Sequence, residues 1–263
     1  MVIAHSSKAG QHGKQKASEI TNRMFMIALI VGFIGVLFLG IISGLAFGKA
    51  ISGTWGSLLA LASISVTAVA SYFSLRLVNR HWDQLTKERL KWLRGGQAEA
   101  WVSMLLRNQL GDRWHLFDNF MLDGSSDIDH ILVGPSGIFV ISTKSQRGLF
   151  NCGDDRSEPT FNGKPTDWPR DVVRQALRLK ERLAVVDQGK QPWLQSVLAL
   201  PFAYIESPTS NSGCPAVGST WVLHEDSLID QIAPDPLPQR LSKAQIARWV
   251  EAIDKLKSLG SAA

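Results

Sequence analysis

The sequence predicts an α/β domain carried behind two membrane-spanning helices. Three observations lead there: two charge-free apolar runs before Arg76, strand-like and helix-like segments in alternation after Gly95, and basic residues gathered at the borders of the apolar runs. Between Arg23 and Lys49 the chain reads "MFMIALIVGFIGVLFLGIISGLAFG", and between Lys49 and Arg76 it reads "AISGTWGSLLALASISVTAVASYFSL". A helix needs about 20 mostly apolar residues to cross the hydrocarbon core, and each run supplies them. A cleaved signal peptide has an apolar core of only about 7–15 residues, so the first run is too long for one.

Charge placement orients the expected spans. The formal charge is +5. Its excess sits at Lys8, Lys14, Lys16 and Arg23 before the first run, and at Arg76, Arg80, Lys87, Arg89, Lys91 and Arg94 after the second. From residue 95 onward 17 Lys and Arg face 20 Asp and Glu, a net of −3. The short connection after Lys49 holds no further charge, so the positive-inside rule puts both termini and the soluble domain in the cytoplasm. In a reducing compartment Cys152 and Cys214 are expected as free thiols.

In chain order, residues 1–22 are polar and read as a disordered cytoplasmic tail. Residues 23–78 form the expected transmembrane hairpin. Gly40, Gly44 and Gly48 recur every four residues on one face of its first helix, where a second helix of this chain or of another copy could approach closely; glycine is also simply frequent in such helices. Residues 79–94, with Trp82 and Arg80 at the interface, continue as a juxtamembrane helix that Gly95 and Gly96 should end. Residues 95–263 make the soluble domain. Its first helix is "QAEAWVSMLLRNQL"; strands follow in "WHLFDNFML" and "DIDHILVGPSGIFVISTKS", the latter turning at Pro-Ser, and a short piece "GLFNC" leads into a loop rich in Asp, Gly and Pro. "WPRDVVRQALRLKERLAVV" is a helix with Pro169 just inside its start. "SVLALPFAYIE" and "STWVLH" read as strands, and "LSKAQIARWVEAIDKL" is a closing helix with Ser242 as N-cap.

Strand alternation puts Asp127 and Asp129 on one face and turns His130 away, while Ser142 and Lys144 share a face of the next strand. Paired carboxylates near a lysine are the materials of phosphodiester hydrolysis: carboxylates hold Mg²⁺ or Mn²⁺, and a lysine steadies developing negative charge. His130, His115 and His224 are expected to be packing histidines. The sequence holds no nucleophile elbow, phosphate-cradling glycine loop or Cys/His metal spacing.

From about Gly95 to the closing helix the chain resembles NERD, the nuclease-related domain of the PD-(D/E)XK nuclease-like superfamily. The resemblance rests on "GGQAEAWV", "DIDHILVGPSG", "IFVISTKSQRG" and "VVRQALRLKERL", in that order. It implies a restriction-endonuclease-like fold, a central mixed sheet flanked by helices, with metal-binding residues at one end. It also implies that Glu99, Asp129 and Lys144 belong to the site, with Gln175 accessory. The family pattern has Glu two residues before the lysine, where this chain has Ser142. A serine hydroxyl is a poor ligand for a hard cation, so Mg²⁺ or Mn²⁺ is expected to bind through Asp129, Asp127 and Ser142 only weakly.

Arg170, Arg174, Arg178 and Arg182 recur every four residues along one helix. They form either a stripe for nucleic-acid phosphates or a solvated face. The expectation is a membrane-tethered nuclease-related protein whose action on DNA or RNA is weak or lost. The alternative is a non-catalytic membrane scaffold or a nucleic-acid- or protein-binding module on the same fold, as a monomer or as a homo-oligomer through the membrane helices.

Overall fold

A computed structural model of the chain describes residues 2–5, 10–49, 54–122, 127–153, 158–187, 191–206, 213–217 and 219–260; for residues 12, 36, 39, 43, 127, 213–217, 259 and 260 and most of 45–77 it describes the backbone alone. The chain divides into two compact units, Lys14–Leu93 and Met1–Gly13 with Arg94–Ala263.

The first unit is helical. Helix α1 spans Gln11–Lys49, and α2 runs unbroken over Thr54–Gln109, from one unit into the next. Among the described residues one helical segment, Gly13–Ile42, is long and apolar enough to cross a membrane, not the two expected; a signal sequence near an N-terminus has the same character. Phe25, Leu29, Phe33 and Leu37 are all exposed along it. The second run, diluted by Ser, Thr and Gly, opens α2, where most side chains lie outside the described residues. At Gly40 and Gly44 no described atom lies within 4 Å of where a Cβ would stand. The surroundings of Gly48 lie outside the described residues.

The second unit is built on a seven-stranded mixed sheet. Its strands are β1 (Ile3–Ala4), β2 (His115–Met121), β3 (Asp127–Gly134), β4 (Gly137–Thr143), β8 (Leu194–Ala199), β10 (Gly213–Val217) and β11 (Thr220–Leu223), in the spatial order β1-β2-β3-β4-β8-β11-β10. β2, β3 and β4 are antiparallel, whereas β4, β8 and β11 run parallel. A second sheet of four short strands contains β5 (Leu149–Asn151), β6 (Thr160–Phe161), β7 (Lys164–Pro165) and β9 (Tyr204–Glu206). Helices α3 (Trp168–Val186) and α5 (Lys243–Gly260) cover one face of the large sheet, and α2 with α4 (Glu225–Ile232) covers the other. β4 is buried along its whole length because both its faces are covered, Ile138 and Val140 toward α3 and α5, Phe139 and Ile141 toward α2 and α4. This is why "GIFVIS" is a continuous apolar run.

Two expectations about the N-terminal half do not hold. The polar tail is ordered where it meets the sheet: β1 pairs parallel with β2, Ile3 N–H donates to Trp114 O and His5 N–H to Leu116 O, each at 2.9 Å. An open sheet edge recruits backbone groups whatever the side chains, so low apolar content did not forbid it. Gly95 and Gly96 do not end the helix either. Gly96 lets the N-terminal segment approach closely, since a Cβ there would stand 2.8 Å from Gly10 O.

The turn between β3 and β4 pairs Gly134 with Gly137 around Pro135 and Ser136, as read from the sequence. Gly134 is required there because a Cβ would fall 2.1 Å from the Trp114 ring. Ser242 caps α5 as expected: its Oγ accepts from Gln245 N–H at 3.3 Å while Gln245 Oε1 accepts from Ser242 N–H at 2.9 Å. Cys152 is disulfide-bonded, contrary to the free thiol expected; the sequence holds one other cysteine, Cys214.

Candidate functional site

The antiparallel register brings His130 opposite Ile141, so Asp129 stands across from Ser142 at the end of the hairpin. Asp129 Oδ2 accepts from Thr143 N–H at 2.6 Å and from Ser142 Oγ at 3.2 Å. The carboxylate therefore ties the end of β3 to the end of β4. Lys144, half-buried, follows directly, and its backbone N–H donates to Ala199 O at 3.0 Å, fixing the exit of β4 against the end of β8. Asp127 lies at the start of β3, paired with Met121; its side chain is outside the described residues.

Glu99 is half-buried on α2. Ser103 and Arg107, one and two helical turns further on, both reach Asp118 of β2. Because β2 runs back along α2, the turn carrying Glu99 lies toward the Asp129 end of the sheet. Gln175 sits on α3, with its Oε1 buried, on the opposite face. Glu99 and Gln175 thus come from opposite sides of the sheet. Among the described residues no three His, Cys, Asp or Glu side chains gather as a metal site.

A buried charge cluster beside this end was not found from the sequence. Asp118 and His130 are opposite each other in the β2–β3 register, both fully buried at the side chain, with His130 Nδ1 donating to Asp118 Oδ1 at 2.7 Å. Ser103 Oγ donates to Asp118 Oδ2 at 2.9 Å and the Arg107 guanidinium pairs with the same oxygen. Burial pushes the Asp118 carboxyl up, but its hydrogen bond and charge interaction with His130, helped by Arg107 and Ser103, outweigh that and hold it below the ordinary carboxylate range. His130 Nε2 is buried without a hydrogen-bond partner among the described residues. The one sequence signal was a lone Asp inside the apolar strand "WHLFDNFML".

His115 contacts His5, Nδ1 to Nε2 at 3.1 Å, and His5 Nδ1 lies 3.2 Å from Asp254 of α5. His224 is the N-cap of α4. A cavity of about 590 Å³ lined by His115, Pro135, Leu241, Ile246 and Val250 lies at the turn end of β3, away from Asp129.

The arginine stripe of α3 is solvent-facing at all four positions. Arg170 pairs with Glu158 and Asp167, which raise its already high pKa, and Arg174 pairs with Asp171. Part of its charge is therefore met within the chain.

The family model of NERD, the nuclease-related domain, matches residues 94–201, from the α2 turn that carries Glu99 through β8. No curated protein and no solved structure is matched.

Proposed function

We propose that the chain is a membrane-tethered, cytoplasmic nuclease-related protein that engages DNA or RNA, and whose metal-dependent phosphodiester hydrolysis is weak or lost. The observation that carries this is the Asp129 carboxylate, which is taken up by Ser142 Oγ and Thr143 N–H where the family pattern would set a second carboxylate beside it. A hard divalent cation needs several anionic oxygens, and the described residues do not fit such a site. Glu99, Lys144 and Gln175, which the family resemblance assigns to the site, lie on three separate stretches within the matched residues 94–201, and that match supports reading the domain as nuclease-related. The stripe from Arg170 to Arg182 is a second surface for phosphates, weakened by its own ion pairs.

The test is Mn²⁺ titration with nucleic-acid cleavage for the natural, Ser142→Glu and Ser142→Ala forms. Ser142→Glu is expected to bind Mn²⁺ at least about ten-fold more tightly and to gain cleavage, with Ser142→Ala near the natural form. Strong natural cleavage lost in Asp127→Asn would show that Asp127 supplies the missing carboxylate. No gain in Ser142→Glu would favour a domain given over to recognition.

A further inference from the structure

We propose that the small sheet is a stacking surface for single-stranded nucleic acid, continuous with the end of the large sheet that carries Asp129, Ser142 and Lys144. This rests on the reading of the domain as one that engages nucleic acid, but not on its hydrolytic activity. Beyond Lys144 the chain passes from β4 into β5, and beyond Ala199 it passes from β8 into β9. The chain thus leads from the parallel pair β4–β8 of the large sheet to the parallel pair β5–β9 of the small one, in which Leu149 stands beside Tyr204 and Phe150 beside Ile205.

The two faces of this extension differ sharply. Phe150 and Ile205 turn inward, where Phe150 and Phe161 pack on the Trp168 ring at 6.3 and 4.8 Å between centroids. Tyr204 and Leu149 turn outward, 81% and 45% exposed. The Tyr204 backbone is pinned, its N–H donating to Gly148 O at 2.9 Å, beside a strand whose inner face is backed by aromatic rings. A solvent-facing aromatic ring on a hydrogen-bonded strand has the form of a base-stacking platform.

Charge gives the surface a direction. Arg147, exposed between Lys144 and β5, lies over the Phe202 ring at 5.8 Å, while Glu206, an anion at the other end of β9 on the same exposed face as Tyr204, accepts from Asn151 Nδ2 at 2.9 Å. A strand laid with one base on Tyr204 would carry its phosphates along the Arg147 side, toward Lys144. A duplex keeps its bases stacked inside and offers no free face to Tyr204.

The experiment is fluorescence anisotropy of the full chain in detergent micelles with fluorescein-labelled oligothymidine and with a labelled duplex, in EDTA so that neither metal nor cleavage enters. The natural chain is expected to prefer the single strand. Tyr204→Ala should weaken that binding about ten-fold, and Tyr204→Trp should restore it. Arg147→Gln should lower the salt slope by about 0.7, one phosphate on a single strand. No single-strand binding by the natural chain, equal binding by Tyr204→Ala, or an equal loss on the duplex would each overturn the proposal. Single-strand binding that depends on Tyr204 in a chain that never cleaves would uphold it while removing hydrolysis from the function.

Discussion

Asp118 shows how one residue can hold the site end of the sheet. It is charged, fully buried at the side chain, and held by three groups from two other elements, Ser103 and Arg107 on α2 and His130 on β3. Asp118→Asn keeps the shape but removes the buried charge that Arg107 and His130 both meet. The expected cost is about 3–5 kcal/mol of unfolding free energy at neutral pH, read by denaturant titration. The pH dependence has a definite sign. The folded carboxyl titrates below its ordinary value, so its contribution is fully present above the unfolded value near 3.8 and is lost as pH falls toward the folded one. The gap between natural and Asp118→Asn forms should therefore narrow below about pH 4. A gap that stayed constant down to pH 3 would mean that the carboxylate's charge contributes nothing. That Asp129 and Ser142 come side by side follows from the hairpin the sequence spells out; Asp118 offered only its place inside an apolar strand, which does not name the His130 and Arg107 it meets.

Elements differ in how much of them is local. The α5 capping box was readable because Ser242 and Gln245 lie in one turn, and Ser242→Ala should lower thermal stability by about 1 kcal/mol, while Ser242→Asp should keep it. No loss in Ser242→Ala would show that packing of Ile246, Trp249 and Ile253 alone sets that helix start. The hairpin of β6 and β7 was also local: Asn162 and Gly163 take positive φ of 50° and 75°, the turn that Asn-Gly favours, yet the surrounding Asp and Pro hid it within a presumed loop. The length of α2 was not local. Gly95 and Gly96 look like a stop, and they are kept helical where Gly10 packs on Gly96 from elsewhere in the chain.

At the scale of the whole molecule, two features make opposed demands on compartment. Basic flanks outside a pair of spans would put the domain in the cytoplasm, whereas one span with its basic N-terminal flank inside would put it on the oxidising side, where the Cys152 disulfide belongs. Under the cytoplasmic placement we propose, a reporter active only outside the cytoplasm, fused after Ala263, should stay silent. Activity would place the domain on the oxidising side. The sequence by itself determined the apolar N-terminal helix, the β3–β4 hairpin with its Pro-Ser turn, the helices α3 and α5, and the family to which residues 94–201 are similar. Each rests on a period, a turn dipeptide or a cap that a few neighbouring residues specify. Only the tertiary structure decided that residues 3 and 4 complete the sheet edge, that Asp118 meets His130, that the Asp129 carboxylate is taken by Ser142 and Thr143, and that Tyr204 faces water beyond Lys144. Those facts depend on which distant segments come to lie side by side, and the pairing free energy that brings them there is spread over the whole sheet and cannot be read in any one stretch of it.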